Sequence, residues 1–371
     1  MKKRFLAAAL VSAMTLSLMA GCGSSQEETS GAASPEMVSE QEQVTEDSAA
    51  VTEAGESAEV TEAAETAEVT AGELEGVTVR IGAMSGCTAM GLVKLMDAAE
   101  KGQTNGSYDF AELGTEASAF VAPLTKGELD MAAVPANLAS VIYNNTDGAV
   151  EVLAVNTLGV LYLLEKGESL NGFSDLAGKT VYMTGQGAVP EYTVRYLLLQ
   201  NGIDPDTDLT LQFCADTTEA LSYLSSSEEA IAILPQPFVT AACAQVEGLR
   251  VVCDLNDEWA AVNEDCQITT GVLVVRREFA EAYPNTIACF LQEYEASMNY
   301  ITEDPEGAAE LVEKYGIVAK AAVAQKAMPN CHLQFMTGEE MKTAVSGFLS
   351  VLYEMNPASV GGALPGDDFY Y

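Results

Sequence analysis

Twice in this chain a short apolar run, entered from a polar turn, stops at a proline. Residues 126–137 read KGELDMAAVPAN and residues 226–237 read SSEEAIAILPQP. A run of four or five apolar residues without polar alternation suits a strand buried on both faces, and proline ends its ladder. Ser227 takes the place of Gly127, and Ala230 that of Asp130. The match extends outward through whole series of elements. The first series has an alternating strand at Val77, Val79 and Ile81, a loop at 84–88, and a helix carrying Met90, Val93, Leu95 and Met96. It continues with a strand at 108–113, a helix at 116–126 ended by Gly127, a strand at 131–134 and strands at 151–156 and 160–165. The second series starts with a strand at 179–184, the loop Gly185-Gln186-Gly187, and a helix whose Val194, Leu197 and Leu198 share one face. Gly202 and Asp204-Pro205 stop that helix. A strand at 210–214, a helix at 217–224 and a strand at 231–234 follow, and Pro235-Gln236-Pro237 turns into another helix. Strands alternating with helices predict parallel sheets covered on both faces, so two related α/β lobes are expected.

The chain returns to the first lobe near 268–276, ITTGVLVVR, and three helices follow. Ile287, Phe290, Leu291, Tyr294, Met298 and Ile301 keep helical spacing in the first. Asp304 and Pro305 open the second and Gly316 ends it. Thr337-Gly338-Glu339-Glu340 reads as a capping box for the third, which buries Met341, Val345, Phe348 and Leu352. Their aromatic and methionine stripes are expected to be core. The tail, VGGALPGDDFYY, is expected to close the fold with its aromatic end packed down.

The N-terminus determines the compartment. Lys2, Lys3 and Arg4 precede an apolar stretch at 5–19, and small residues lead to Cys22. The stretch is too short for an ordinary spanning helix and reads as a signal peptide. The run LMAGC resembles the lipobox of bacterial lipoproteins, which implies lipidation of Cys22 and a membrane anchor without a spanning segment. From Gly23 to Gly76 there are fifteen acidic residues and no Lys, Arg or aromatic residue. Such a segment buries too little apolar surface to offset the entropy of ordering, so a disordered acidic tether is expected. The remaining 295 residues hold forty acidic against fourteen basic residues. That balance argues against nucleic acid or anionic lipid as partner.

Seven cysteines follow Cys22 without a CxxC spacing, and His332 is the single histidine. A zinc site is therefore not expected. Disulfides are open to a protein outside the cytoplasm, with Cys253 and Cys266 as one pair, but buried free thiols are the preferred reading.

At this point the chain resembles a known family, the solute-binding lipoproteins of ABC importers. The similarity is to the type II periplasmic-binding-protein fold, in the branch that takes sulfonate, nitrate, taurine and thiamine-pyrimidine precursors. LMAGC at 18–22, GELD-x4-P at 127–135, FSDLAGKTV at 173–181, NGIDP at 201–205, ITTGVLVV at 268–275 and DPEGAAELV at 304–312 carry it. The resemblance implies an α/β fold of two lobes, each a mostly parallel sheet flanked by helices, joined by two crossing strands near 160–165 and 268–273. It divides the chain into a signal peptide (1–21), a lipidated tether (22–76), lobe 1 (77–163), lobe 2 (164–269) and the rest of lobe 1 (270–371). It implies an extracytoplasmic, lipid-anchored monomer, not an enzyme and without cofactor or metal. Such a protein captures a small organic solute between its lobes and delivers it to a permease and its ATPase. The alternatives are a sensor module on the same fold, or an enzyme of thiamine-pyrimidine or menaquinone synthesis.

Ligand contacts are then expected from loops at strand C-terminal ends. The candidates are Ser85, Gly86, Cys87, Thr88, Thr115, Pro135, Asn137, Thr184, Gln186, Gly187, Gln236 and Thr269. Ser85 and Thr88 supply hydroxyls before a helix, or merely cap it. Asn137 and Gln236 each follow a strand-ending proline and either meet across the cleft or bond within their own turns. Gln186, between two glycines, is expected to face the ligand. Glu191 and Arg195 read as a surface ion pair. Cys87 reads as small and polar, His332 as structural or exposed without a visible partner, and Trp259 as a lid or as packing. None of the loops 84–89, 115–118, 135–137, 184–189, 235–238 and 269–270 contains Lys or Arg, so a sulfonate or nitrate would have to rely on helix N-termini and hydroxyls alone, and a neutral, heteroaromatic or zwitterionic solute fits equally well.

Overall fold

Strands of the computed structural model fall into two sheets, and the chain passes between them through the two-residue link Gly159-Val160. The structure describes residues 74–111 and 113–371. The expected signal peptide, the lipidation site at Cys22 and all but the last three residues of the tether lie outside the described residues. Those three residues belong to the fold. Glu75 accepts hydrogen bonds from the backbone N–H groups of Asn285 (3.0 Å) and Thr286 (2.9 Å) and from the Thr286 hydroxyl (2.7 Å). A carboxylate at the start of a helix suits its partial positive charge.

The first part of the chain supplies β1 (Thr78–Ala83), α1 (Cys87–Met90), α2 (Val93–Glu100), β2 (Ser107–Phe110), α3 (Val121–Thr125), β3 (Met131–Pro135), α4 (Ala136–Asn145) and β4 (Val150–Leu158). The second lobe holds β5 (Leu161–Lys166), β6 (Thr180–Met183), α5 (Val189–Gln200), β7 (Thr210–Phe213), α6 (Thr217–Ser226), β8 (Ala230–Pro235), α7 (Phe238–Gln245), β9 (Leu249–Asp254) and α8 (Leu255–Val262). The chain returns in β10 (Thr269–Arg276). After it come α9 (Arg277–Ala282), α10 (Pro284–Glu303), α11 (Pro305–Lys314), α12 (Ala321–Ala327), β11 (Leu333–Met336) and α13 (Gly338–Met355).

The sheet orders are β11-β4-β10-β3-β1-β2 and β7-β6-β8-β5-β9. Both sheets are mixed: in each, a parallel set is joined by antiparallel strands. β1 pairs in parallel with β2 and β3, and β6 with β7 and β8, as the strand–helix series requires. β10 enters from the other lobe and runs antiparallel between β3 and β4. β5, the strand after the first crossing, likewise runs antiparallel to β8 and β9. A chain that leaves a sheet at its C-terminal edge must start the next from the facing edge, which reverses its direction. Strand β9 and helix α8 were not expected from the sequence. The strand is half exposed and shows no clean alternation, and the helix lies in the acidic stretch 254–265.

The two proline-ended runs are β3 and β8. Pro135 pairs with Gly271 and Pro235 with Leu161, each at the last rung of its ladder, where a missing N–H costs least. Their apolar side chains alternate between the two faces of each sheet and feed separate clusters. Ala132 and Val134 pack toward α4 and α13, while Met131 and Ala133 pack toward α2 and α10. Ile231 and Ile233 join the cluster that α5 covers, and Ala232 and Leu234 the one that α6 and α7 cover. The cap of α11 is as expected, with Asp304 accepting from Gly307 N at 3.0 Å. Thr337 sits at the N-cap of α13, but its hydroxyl makes no capping bond. The tail packs through buried Phe369, and Tyr371 N–H reaches the Val152 carbonyl at 3.1 Å, although the Tyr371 side chain is exposed.

Candidate functional site

Strand direction places every candidate loop at the edge where one sheet faces the other. The C-terminal ends of β1, β2 and β3 lie together: Met84 N–H donates to the Ala133 carbonyl (2.9 Å) and Ser85 N–H to the Gly114 carbonyl (2.7 Å). Gly86 has φ 119°, a conformation closed to most other residues, and from it the chain enters α1. On the facing edge β6, β7 and β8 are followed directly by Thr184, Cys214 and Gln236, with Cys214 N–H on the Met183 carbonyl at 2.8 Å. Gly185 has φ 83°, and a Cβ there would lie 2.7 Å from Pro190, so only glycine admits this turn into α5.

The two edges touch at one candidate residue. The Cys87 thiol donates to the Gln236 carbonyl at 3.3 Å, tying the loop after β1 to the end of β8, and Gln236 N–H donates to the Val160 carbonyl at 2.9 Å. Burial, reinforced by the neighbouring Cys331, pushes the Cys87 thiol well above its ordinary range, so it remains protonated and able to donate.

Asn137 and Gln236 do not bond to each other. Asn137 donates its side-chain N–H to the Ser359 carbonyl at 3.2 Å. Gln236 accepts from Thr240 N–H at 3.3 Å and from the Thr240 hydroxyl at 2.9 Å. Gln236 is held by the first turn of α7 and Asn137 by the segment after α13, so each is bonded within its own lobe. Thr88 is buried, and its carbonyl accepts from Asn156 at 3.3 Å. Neither Ser85 nor Thr88 caps α1, whose N-cap position is Gly86. Thr269 is fully buried and donates to the Ala344 carbonyl at 3.4 Å, which turns it toward α13 rather than into the cleft. Gln186, Gly187 and Thr115 are exposed, and Ser85, Pro135 and Thr184 are half-buried.

Glu191 and Arg195 form the expected pair at 2.7 Å, and Arg195 also reaches Asp206 at 2.8 Å. Glu191 has a second role. Its other oxygen accepts from Gly187 N–H at 2.6 Å, fixing the loop that carries Gln186.

His332 has partners that the sequence did not reveal. Its Nδ1 lies 2.7 Å from the Gly159 carbonyl and its Nε2 3.2 Å from Asp254, so it joins the returning chain to the first crossing and to the second lobe. Its ring stacks on Tyr162. The one signal for this was its place beside a strand, since its partners come from sequence positions 78 and 173 residues away. Trp259 is packing, not a lid. It is 1 % exposed and touches Tyr196 of α5 and Phe348 of α13.

A cavity of about 830 Å³ opens on the β4–β11 side of the crossings, bounded by Leu158, Trp259, Ile268, His332, Glu339 and Thr343. None of the twelve candidate residues lines it.

Residues 145–308 match the family model described as NMT1/THI5 like. Among curated proteins none matches the chain in sequence. Solved structures do match in shape. An ABC transporter protein from Parabacteroides distasonis is 22% identical with a TM-score of 0.67, covering 79% of this chain and 98% of its own. The periplasmic aliphatic sulphonate binding protein SsuA from Escherichia coli is 16% identical with a TM-score of 0.62, covering 79% and 92%. The ligand binding component of an ABC-type import system from Staphylococcus aureus, solved with zinc bound, is 14% identical with a TM-score of 0.59, covering 79% and 97%. The fold is that of a periplasmic binding protein. Shared architecture at this identity carries over the two-lobe frame and its facing edges, while side-chain chemistry has to be read from this chain.

Proposed function

We propose that the protein is the extracytoplasmic, lipid-anchored solute receptor of an ABC importer. It takes a small organic molecule between its two lobes and passes it to a permease driven by an ATPase. The observation that carries this reading is the facing arrangement of the loops after β1, β3, β6 and β8 about the Gly159 crossing, in the fold of periplasmic binding proteins. Ser85, Thr115, Thr184 and Gln186 make no side-chain hydrogen bond among the described residues, which leaves them for a ligand, and the crossings supply a hinge for closure. The lobes are proposed as 77–163 with 270–371, and as 164–269. Cys22 is proposed as the acylated residue, with the acidic segment after it as the tether and the receptor working as a monomer.

The test is to purify the protein from membranes of its own host and identify, by native mass spectrometry, any small molecule that accompanies it. The same compound should raise the melting temperature of ligand-free protein. Cys22→Ser should move the protein from the membrane fraction to the medium or periplasm. A protein that carries no solute, and that no metabolite stabilises, is not a receptor of this kind.

A further inference from the structure

Two of the thiols meet beside the first crossing between the sheets. Cys87 opens α1 and is 5 % exposed, and Cys331, just before β11, is fully buried; both belong to one apolar cluster with Val160 of the crossing. Their side chains are direct neighbours. Each thiol hydrogen has its own acceptor. Cys87 donates to the Gln236 carbonyl at the end of β8, and Cys331 to the Ala327 carbonyl at the end of α12, both at 3.3 Å. The residues on either side of Cys331 also hold the second sheet. The Asn330 carbonyl accepts from the Tyr162 hydroxyl of β5 at 2.8 Å, and His332 reaches Asp254 of β9 at 3.2 Å. His332 has φ 44°, in the left-handed region that is costly for residues other than glycine. Strained backbone persists only where surrounding contacts hold it, so the contacts of Asn330, Cys331 and His332 keep this segment in place.

We propose that Cys87 and Cys331 are a reversible thiol–disulfide pair that sets how firmly the two sheets are tied at the first crossing. In the dithiol form the Cys87 S–H joins the loop after β1 to the end of β8. The oxidant is a disulfide, R–S–S–R, of a small molecule or another protein. The thiolate of one cysteine attacks it and releases one R–S⁻, and the second cysteine then displaces the other R–S⁻ from the mixed disulfide. One S–S bond breaks and one forms. The two cysteines are oxidised by two electrons, R–S–S–R is reduced by two, and the two thiol protons end on the two R–SH. A disulfide sulfur carries no hydrogen, so the Gln236 carbonyl loses its donor from the other sheet. Both cysteines sit beside strands of one sheet, β1 and β11, so the new bond does not staple the lobes together; it releases them. Burial keeps Cys87 protonated while the contact is closed, so exchange proceeds through the opened form. The pair acts whatever the lobes enclose.

The full-length protein, equilibrated in mixtures of reduced and oxidised glutathione, quenched with acid, alkylated and mapped by mass spectrometry, tests the pair without any solute. The expected disulfide joins the Cys87 and Cys331 peptides, forms before any other, and returns to free thiols in excess reduced glutathione. Hydrogen exchange at Gln236, whose N–H is held by the Val160 carbonyl at 2.9 Å, should be about fivefold faster in the oxidised protein, the loss of one hydrogen bond. In Cys331→Ala the oxidant should leave that rate as it is, and in Cys87→Ala the rate should be raised with or without oxidant. If Cys87 and Cys331 stay free for alkylation in oxidised glutathione, or stop at glutathione adducts, the pair is overturned. A Cys87–Cys331 disulfide with unchanged exchange at Gln236 overturns the release of the lobes. The unmutated protein decides both points even where a variant fails to fold.

Discussion

Asp130 shows how a single side chain can fasten one sheet. It is 1 % exposed, and its oxygens meet Arg80 at 2.6 and 2.8 Å and Arg276 at 3.0 Å, so β1, β3 and β10 converge on one carboxylate. Burial alone would raise its pKa, but hydrogen bonds from the two guanidinium groups outweigh it and hold the carboxyl below the usual range. A lowered folded-state pKa contributes stability above the ordinary aspartate value near 4, and that contribution disappears as pH falls through the folded value. Asp130→Asn should lower stability by roughly 3 kcal/mol at pH 7, the low end for a broken buried pair because Arg80 stays partly solvated. Chemical denaturation from pH 7 to pH 3 should show the gap closing toward the acid end. The cysteines act at the other end of the scale. Among the described residues all seven are free thiols, and burial raises those of Cys87, Cys214, Cys243, Cys253, Cys266 and Cys289, with Cys253 pushed up to about 12. Raised thiols contribute stability below the ordinary value near 8.5 and lose it as pH rises above. A thiol reagent at pH 8 should therefore react slowly with the native protein and rapidly once it is unfolded.

At the scale of elements, α5, α8 and α13 carry the contact between lobes on the face opposite α2 and α10. Trp259 of α8 lies 4.6 Å from the Tyr196 ring of α5 and 5.7 Å from the Phe348 ring of α13, and its N–H donates to the Cys266 carbonyl at 2.8 Å. Asn356, at the end of α13, donates to the Tyr192 hydroxyl at 2.9 Å. Trp259 is the only tryptophan in the chain. Its emission should be that of an indole shielded from water, and solute binding should change its intensity as α5 shifts against α13. Trp259→Phe should abolish the signal while keeping the fold, and Trp259→Ala should destabilise by about 3–5 kcal/mol in thermal or denaturant unfolding. An unchanged emission on adding a solute that stabilises the protein would mean that closure leaves this face at rest.

For the whole molecule, two crossings and the returning C-terminal chain determine how the lobes meet. Gly159 sits where a Cβ would lie 2.3 Å from Asn256, and His332 and Asn256 both reach its carbonyl. Gly159→Ala should push the crossing away from Asn256. We expect weaker solute binding, read by calorimetry, together with a lower melting temperature, since the strain is shared by hinge and fold.

Local chemistry dictated much of this protein. The proline-ended strands β3 and β8, the turn into α5, the Asp304 cap and the Glu191–Arg195 pair each depend on neighbours within a few residues, and such patterns are visible in one chain. The two-lobe plan followed because the same series of elements occurs twice. Other features were decided only when distant segments met. Asn137 faces Ser359, Thr269 faces Ala344, His332 faces Asp254, and Glu75 binds the start of α10, all pairings that no periodicity encodes. The sheets became mixed because the chain reverses direction on crossing between lobes. Whether a loop residue points to a ligand or to its own helix depends on which partner lies nearer in three dimensions. For Gln236 that partner is Thr240, while Gln186 is left facing solvent.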